Sequence, residues 1–182
     1  MGSAKSPGVT VFGSRSNTRT FTINDGGTLQ FNSGTIVASG YNQMTAPTLI
    51  INSGGIVTND GIATNNALNN VELHNGTLTS TTGHVGSTSG IPVYGAWNLN
   101  GSILSTGTST ISTTAPDRGW VMLKVTGDTT TNFNVTDGTL TVSAPVVDNP
   151  TDGNIGSLCK TGDGKCQHAH RSLWIEFCCG GL

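Results

Sequence analysis

The sequence predicts an all-β protein, a right-handed single-stranded parallel β-helix or solenoid, with an antiparallel β-sandwich as the alternative. Three observations carry this expectation. A short phrase recurs along the chain: an apolar residue, one or two polar residues, Gly, then a second apolar pair. The polarity of the 182 residues comes from hydroxyls and amides, because only 10% are charged and 5% aromatic while Gly fills 26 positions. Val, Ile and Thr recur throughout, and no stretch shows the period of an amphipathic helix. Disordered chains combine high charge with few β-branched residues, so this composition points to a turn-rich β fold.

The phrase occurs as INDGGTLQ from Ile23, FNSGTIVA from Phe31, INSGGIVT from Ile51, LHNGTLTS from Leu73, LNGSILST from Leu99 and VTDGTLTV from Val135. Alternating apolar and polar residues make a short strand with one buried face. The Asn-Gly, Asp-Gly or Ser-Gly pair then turns the chain where a positive φ is needed. Between Ile23, Ile51, Leu73, Leu99 and Val135 the intervals are 28, 22, 26 and 36 residues, near the length of one solenoid coil, with room for an insertion in the last. These five residues are therefore expected to form one continuous apolar column, with Asn and Thr residues of successive coils in register outside it. Coils that bury narrow columns of Val, Ile and Leu against each other also explain how so few aromatics suffice. The same turn dipeptides mark hairpins, which keeps the sandwich as the alternative.

The segment Val135 to Gly164 resembles the autotransporter-associated β-strand repeat of bacterial passenger domains. The resemblance rests on Ser143, Ala144, Pro145 and Val146, then on Leu158, Lys160, Thr161, Gly162 and Gly164. It implies a β-solenoid from a bacterial secreted or surface protein, with an extracellular location for the parent protein and a structural or adhesive role. It covers residues 1–164, most strongly over the last 30 of them. After KTGDG the family would continue with another Thr- and Leu-containing strand, whereas this chain reads KCQHAHRSLWIEFCCGGL. Residues 165–182 are accordingly read as an atypical Cys- and His-containing tail that caps the solenoid. Its segment Ser172 to Phe177 is expected to fold over the end, with Trp174 and either Ile175 or Phe177 inward.

Charge narrows the partners. A net charge of -2 and eight scattered Lys and Arg residues offer no basic stripe, which argues against nucleic acid as a partner. No apolar run approaches the roughly 20 residues of a membrane span, so no membrane insertion is expected, and the opening MGSAKSPG lacks the apolar stretch of a signal peptide. A glycan or surface partner, and self-association through exposed solenoid ends, are expected instead.

Few residues invite chemistry. Asp25, Asp60, Asp137, Asp152 and Asp163 each precede Gly, where turn geometry explains them. Glu72 lies two residues from His74, which would place both on one face of a strand as an acid/base pair. Cys166, His168 and His170 alternate, so an extended backbone would aim a thiol and two imidazoles the same way, a donor set suited to zinc. Cys159, Cys178 or Cys179 could complete four-coordination, and all cysteines fall within the last 24 residues. Two enzymatic or binding alternatives follow. One is a small metal-dependent hydrolase built on the tail; the other is a carbohydrate-binding or carbohydrate-cleaving β-helix with a groove near Glu72, His74, Tyr94, Trp97 and Trp120. The sequence holds no nucleophile elbow, phosphate loop or His-Glu-x-x-His motif.

Overall fold

A computed structural model describes residues 20–31, 48–59, 65–80, 84–88, 91–94, 96–99, 101–114, 121–123, 130–147, 157–168 and 176–179. All regular structure among them is β. The chain runs through β1 (Thr20–Ile23), β2 (Thr28–Phe31), β3 (Thr48–Ile51), β4 (Ile56–Asn59), β5 (Asn65–Leu68), β6 (Val71–His74) and β7 (Thr77–Ser80). It continues with β8 (His84–Thr88), β9 (Ile91–Tyr94), β10 (Ala96–Leu99), β11 (Ile103–Thr106), β12 (Thr108–Thr113) and β13 (Val121–Leu123). The last strands are β14 (Thr130–Val135), β15 (Thr139–Val142), β16 (Val146–Val147), β17 (Ser157–Thr161), β18 (Lys165–His168) and β19 (Glu176–Cys179).

These strands form three parallel sheets, ordered β1-β3-β6-β11-β14-β17-β19, β2-β4-β7-β12-β15-β18 and β5-β10-β13-β16. From β3 to β16 each turn of chain donates one strand to each of the three sheets in succession, which is the arrangement of a parallel β-helix. The only antiparallel pair among the described residues is the hairpin β8–β9, inserted between β7 and β10. The parallel solenoid therefore holds, and the sandwich does not.

The corner between the first and second sheets explains the phrase. Gly26, Gly54, Asn75, Gly107, Gly138 and Gly162 all have φ between 56° and 79°, one at the same corner of successive coils. Gly avoids the Cβ clash of the left-handed region, and Asn tolerates it with help from its own side chain. At Asn75 the side-chain oxygen accepts the backbone N–H of Thr108 in the next coil, at 2.8 Å. Asp137 does the same for the N–H of Gly107, so its turn role is realised across coils. Stacking tightens the requirement: a Cβ on Gly138 would lie 2.1 Å from the carbonyl oxygen of Gly107.

Register corrects one expectation. In the first sheet Ile23 pairs with Ile51, Ile51 with Leu73, Leu73 with Ser105, and Ser105 with Val135. Leu99 is not in this column; it belongs to the third sheet, paired with Leu68 and Leu123. The phrase at Leu99 marks the corner that leads from the third sheet back to the first, and Ser105 takes the place assigned to Leu99. Coil lengths shift accordingly to 28, 22, 32 and 30 residues, with the hairpin lengthening the third and not the last.

The inner faces fill one core that includes Ile51, Val57, Leu73, Leu78, Trp97, Leu99, Ile103, Ile111, Phe133 and Leu140, all at most 1% exposed. Trp97 meets Phe31 edge-to-face at 5.9 Å and donates its indole N–H to the carbonyl of Thr79 at 2.8 Å. A buried indole thus gains its polar partner from a strand of the second sheet.

Candidate functional site

Chemistry-bearing side chains gather at two places. On the outer face of the first sheet, Glu72 and His74 alternate with buried Val71 and Leu73, so period-two alternation sends both outward. His74 Nε2 lies 3.4 Å from Glu72 Oε2, and Nδ1 lies 2.9 Å from the hydroxyl of Thr106, its register partner in the next coil. The carboxylate can only accept, so Nε2 carries the proton and, in the neutral ring, Nδ1 accepts the hydroxyl proton of Thr106. Carboxylate, imidazole and hydroxyl in series are the ingredients of a nucleophilic triad. Acyl transfer also needs donors aimed at the developing oxyanion. The backbone N–H groups that follow Thr106 are already committed, that of Gly107 to Asp137 and that of Thr108 to Asn75. The trio forms a polar clasp between coils on a half-exposed surface. The Glu72–His74 pairing follows from the sequence; Thr106 does not, because it is 32 residues away.

The second place is the tail. Cys166 and His168 share one face of β18, as their alternation predicts, but that face is the inner one: Cys166 pairs with Leu140 and His168 with Val142. Cys166 packs against the apolar core, and burial pushes its thiol above the ordinary range, with Lys160 opposing weakly. Burial of that kind disfavours the thiolate that a metal needs. His170, the third expected ligand, lies outside the described residues, as do Ser172 to Ile175 of the expected cap. Cys159 lies on the first sheet, next in sequence to buried Leu158, and pairs with Cys178 of β19. Among the described residues no three His, Cys, Asp or Glu side chains gather closely enough to hold a metal ion. The strands after Gly164 extend the sheets, β18 pairing with β15 and β19 with β17.

The expected aromatic groove loses a member. Trp97 is 1% exposed and belongs to the core, so it presents no ring to a sugar. Trp120 lies outside the described residues, and only the backbone of Tyr94 is described, paired with His84 in the hairpin.

The Thr residues expected in register outside the apolar column form a hydroxyl field on the outer face of the second sheet, whose members the sequence alone did not name. Thr77, Thr110 and Thr141 stand in one row across three coils, with Thr79 and Ser112 in the next row and Thr108 and Thr139 on the other side. Rows are about 4.8 Å apart between coils and about 6.7 Å apart along a strand. Ser112 donates to Thr79 Oγ1 at 3.0 Å, so hydroxyls of neighbouring coils also bond sideways. Ile56 bounds the Thr77 row at one end and Gln167 at the other. The available signal was the Thr-x-Thr inside LHNGTLTS and VTDGTLTV, repeated as Thr108-Ser-Thr110.

The parallel three-sheet solenoid is thus the class of protein that the geometry defines. Comparison with known proteins adds no closer assignment: no family model matches the chain, and neither a curated protein nor a solved structure does.

Proposed function

We propose that this chain is a structural, adhesive β-solenoid segment of a bacterial secreted or surface protein, of the kind its resemblance to autotransporter passenger domains implies. The observation that carries the reading is the in-register hydroxyl field of Thr77, Thr79, Thr108, Thr110, Ser112, Thr139 and Thr141 on an outward sheet face. These side chains contribute nothing to the core, and they carry no charge. Such a surface binds through many modest hydrogen bonds and methyl contacts, and it suits a neutral, hydroxylated partner such as a surface glycan. Stacked coils supply the rigid, extended support that multivalent contact requires.

The test is adhesion of protein-coated beads to glycan-bearing surfaces. The paired variant Thr110→Lys with Thr141→Lys should keep the far-ultraviolet β signature, because both positions face outward, while bead retention falls at least several-fold. Beads coated with the unaltered protein that adhere no better than bare beads would overturn the reading.

A further inference from the structure

We infer that Cys159 and Cys178 form a disulfide that ties the last strand of the first sheet to the coil before it. The two residues are direct register partners in the parallel strands β17 and β19. Neighbouring strands run about 4.8 Å apart, inside the roughly 4.4–6.8 Å window that disulfide-bonded Cα atoms occupy. Cys159 is half-exposed beside buried Leu158, so an oxidant reaches it from solvent. Its thiol is free in this structure and lies 3.9 Å from the carbonyl of Lys160, so it is available to an oxidant.

The other thiols fit this partner poorly. Cys166 sits on the second sheet, in register with Leu140 and packed, partly buried, against the core. Cys179 is in register with Lys160, so of the two adjacent cysteines Cys178 holds the register place opposite Cys159. The pairing joins residues 19 apart in sequence and closes a loop around the segment expected to cap the solenoid. A cross-link there restrains the terminal strand, which otherwise peels most easily because it has a described partner on one side only.

The chemistry balances with a small-molecule disulfide as oxidant. The thiolate of one cysteine attacks oxidised glutathione, giving a mixed disulfide and one glutathione thiolate. The second cysteine's thiolate attacks the protein sulfur of that mixed disulfide and expels the other glutathione. Two protein thiols thus lose two protons and two electrons, and one molecule of oxidised glutathione becomes two of the reduced form. Formation of the bond does not depend on the adhesive role proposed above.

The experiment uses the full chain, purified reduced and then equilibrated with oxidised glutathione, alkylated and digested with trypsin. Cleavage after Lys160, Lys165 and Arg171 separates Cys159, Cys166 and the Cys178–Cys179 pair into three peptides. The expected product links the peptide ending at Lys160 to the peptide beginning at Ser172, lighter by two hydrogens than the reduced pair. Cys178→Ser should abolish the link and Cys179→Ser should preserve it. The thermal midpoint of the oxidised protein should exceed that of the reduced form by about 5 °C, a difference that Cys178→Ser removes. A link that survives Cys178→Ser, a link from Cys159 to the Cys166 peptide, or mixed glutathione adducts alone would overturn the assignment.

Discussion

Two consecutive coils begin with nearly the same words, INDGGTLQ from Ile23 and INSGGIVT from Ile51, and they occupy matching places in the same two sheets. Yet Ile51 is fully buried, whereas Ile23, its register partner, is only partly so. Ile51 is stacked between Ile23 and Leu73, while Ile23 has a described sheet neighbour on one side alone. The turn glycines repeat the contrast. Nothing lies within 4 Å of a Cβ built on Gly26, whereas one built on Gly138 meets the backbone of Gly107. In a solenoid the local phrase specifies the strand and its corner, but the neighbouring coils supply the burial.

The contrast is open to direct attack, beginning with the largest effect. Ile51→Ala should cost about 4 kcal/mol, the upper part of the range for a buried aliphatic side chain, and Ile23→Ala about 1 kcal/mol. Denaturant unfolding with an unchanged slope measures both, and equal losses would break the comparison. Next come the corners, where Gly138→Ala combines a positive φ with a collision against backbone, and about 3 kcal/mol should be lost. Gly26→Ala meets only the conformational term, about 1 kcal/mol. Equal costs would mean that neighbouring corners do not press on one another.

A third change should stabilise. Ser105 occupies the place in the first sheet's column that Leu73 and Val135 fill in the adjoining coils, and its hydroxyl is buried with no hydrogen-bond partner among the described residues. Ser105→Ala removes an unsatisfied polar atom from an apolar site, and a gain of about 1 kcal/mol is expected in the same unfolding measurement. The smallest effect lies in the tail. Burial raises the Cys166 thiol, so the folded form holds that proton more tightly than the unfolded chain does. Stability from this group is complete below the unfolded thiol's range and is lost as pH rises through the folded value. Correspondingly, alkylation of Cys166 should lag behind that of Cys159 at mildly alkaline pH. Mass spectrometry of timed samples reads the order, and reversed rates would contradict the inward placement of Cys166.

The fold was legible because its signals are local. Asn-Gly or Asp-Gly at a corner and alternation on either side need no knowledge of the rest of the chain, and the recurring left-handed φ from Gly26 to Gly162 is the physical content of that text. The assignment of Leu99 failed for the complementary reason. The phrase LNGSILST resembles the others, but which of the three corners it marks depends on the chain spent between coils, including the β8–β9 hairpin. The sites divide in the same way. Glu72 and His74 were paired because they are two residues apart; the Thr106 hydroxyl and the rows of threonines come together only through register between coils. Cys166 and His168 were correctly placed on one face, but alternation alone does not say whether a face looks inward or outward.

The register ladders also determine how the molecule answers to force. Hydrogen bonds between parallel coils point along the stacking axis, so tension applied along that axis loads every interface in series, while the sheets share the load side by side within each one. The weakest interface then yields first, and each ladder opens like a zipper without disturbing its neighbours. Among the described residues the first sheet holds seven strands, the second six and the third four, β5 to β16. Among the described residues the coils from β3 to β16 are laced at three seams, so tension on one of these interfaces divides among three ladders and each yields later than a single ladder would.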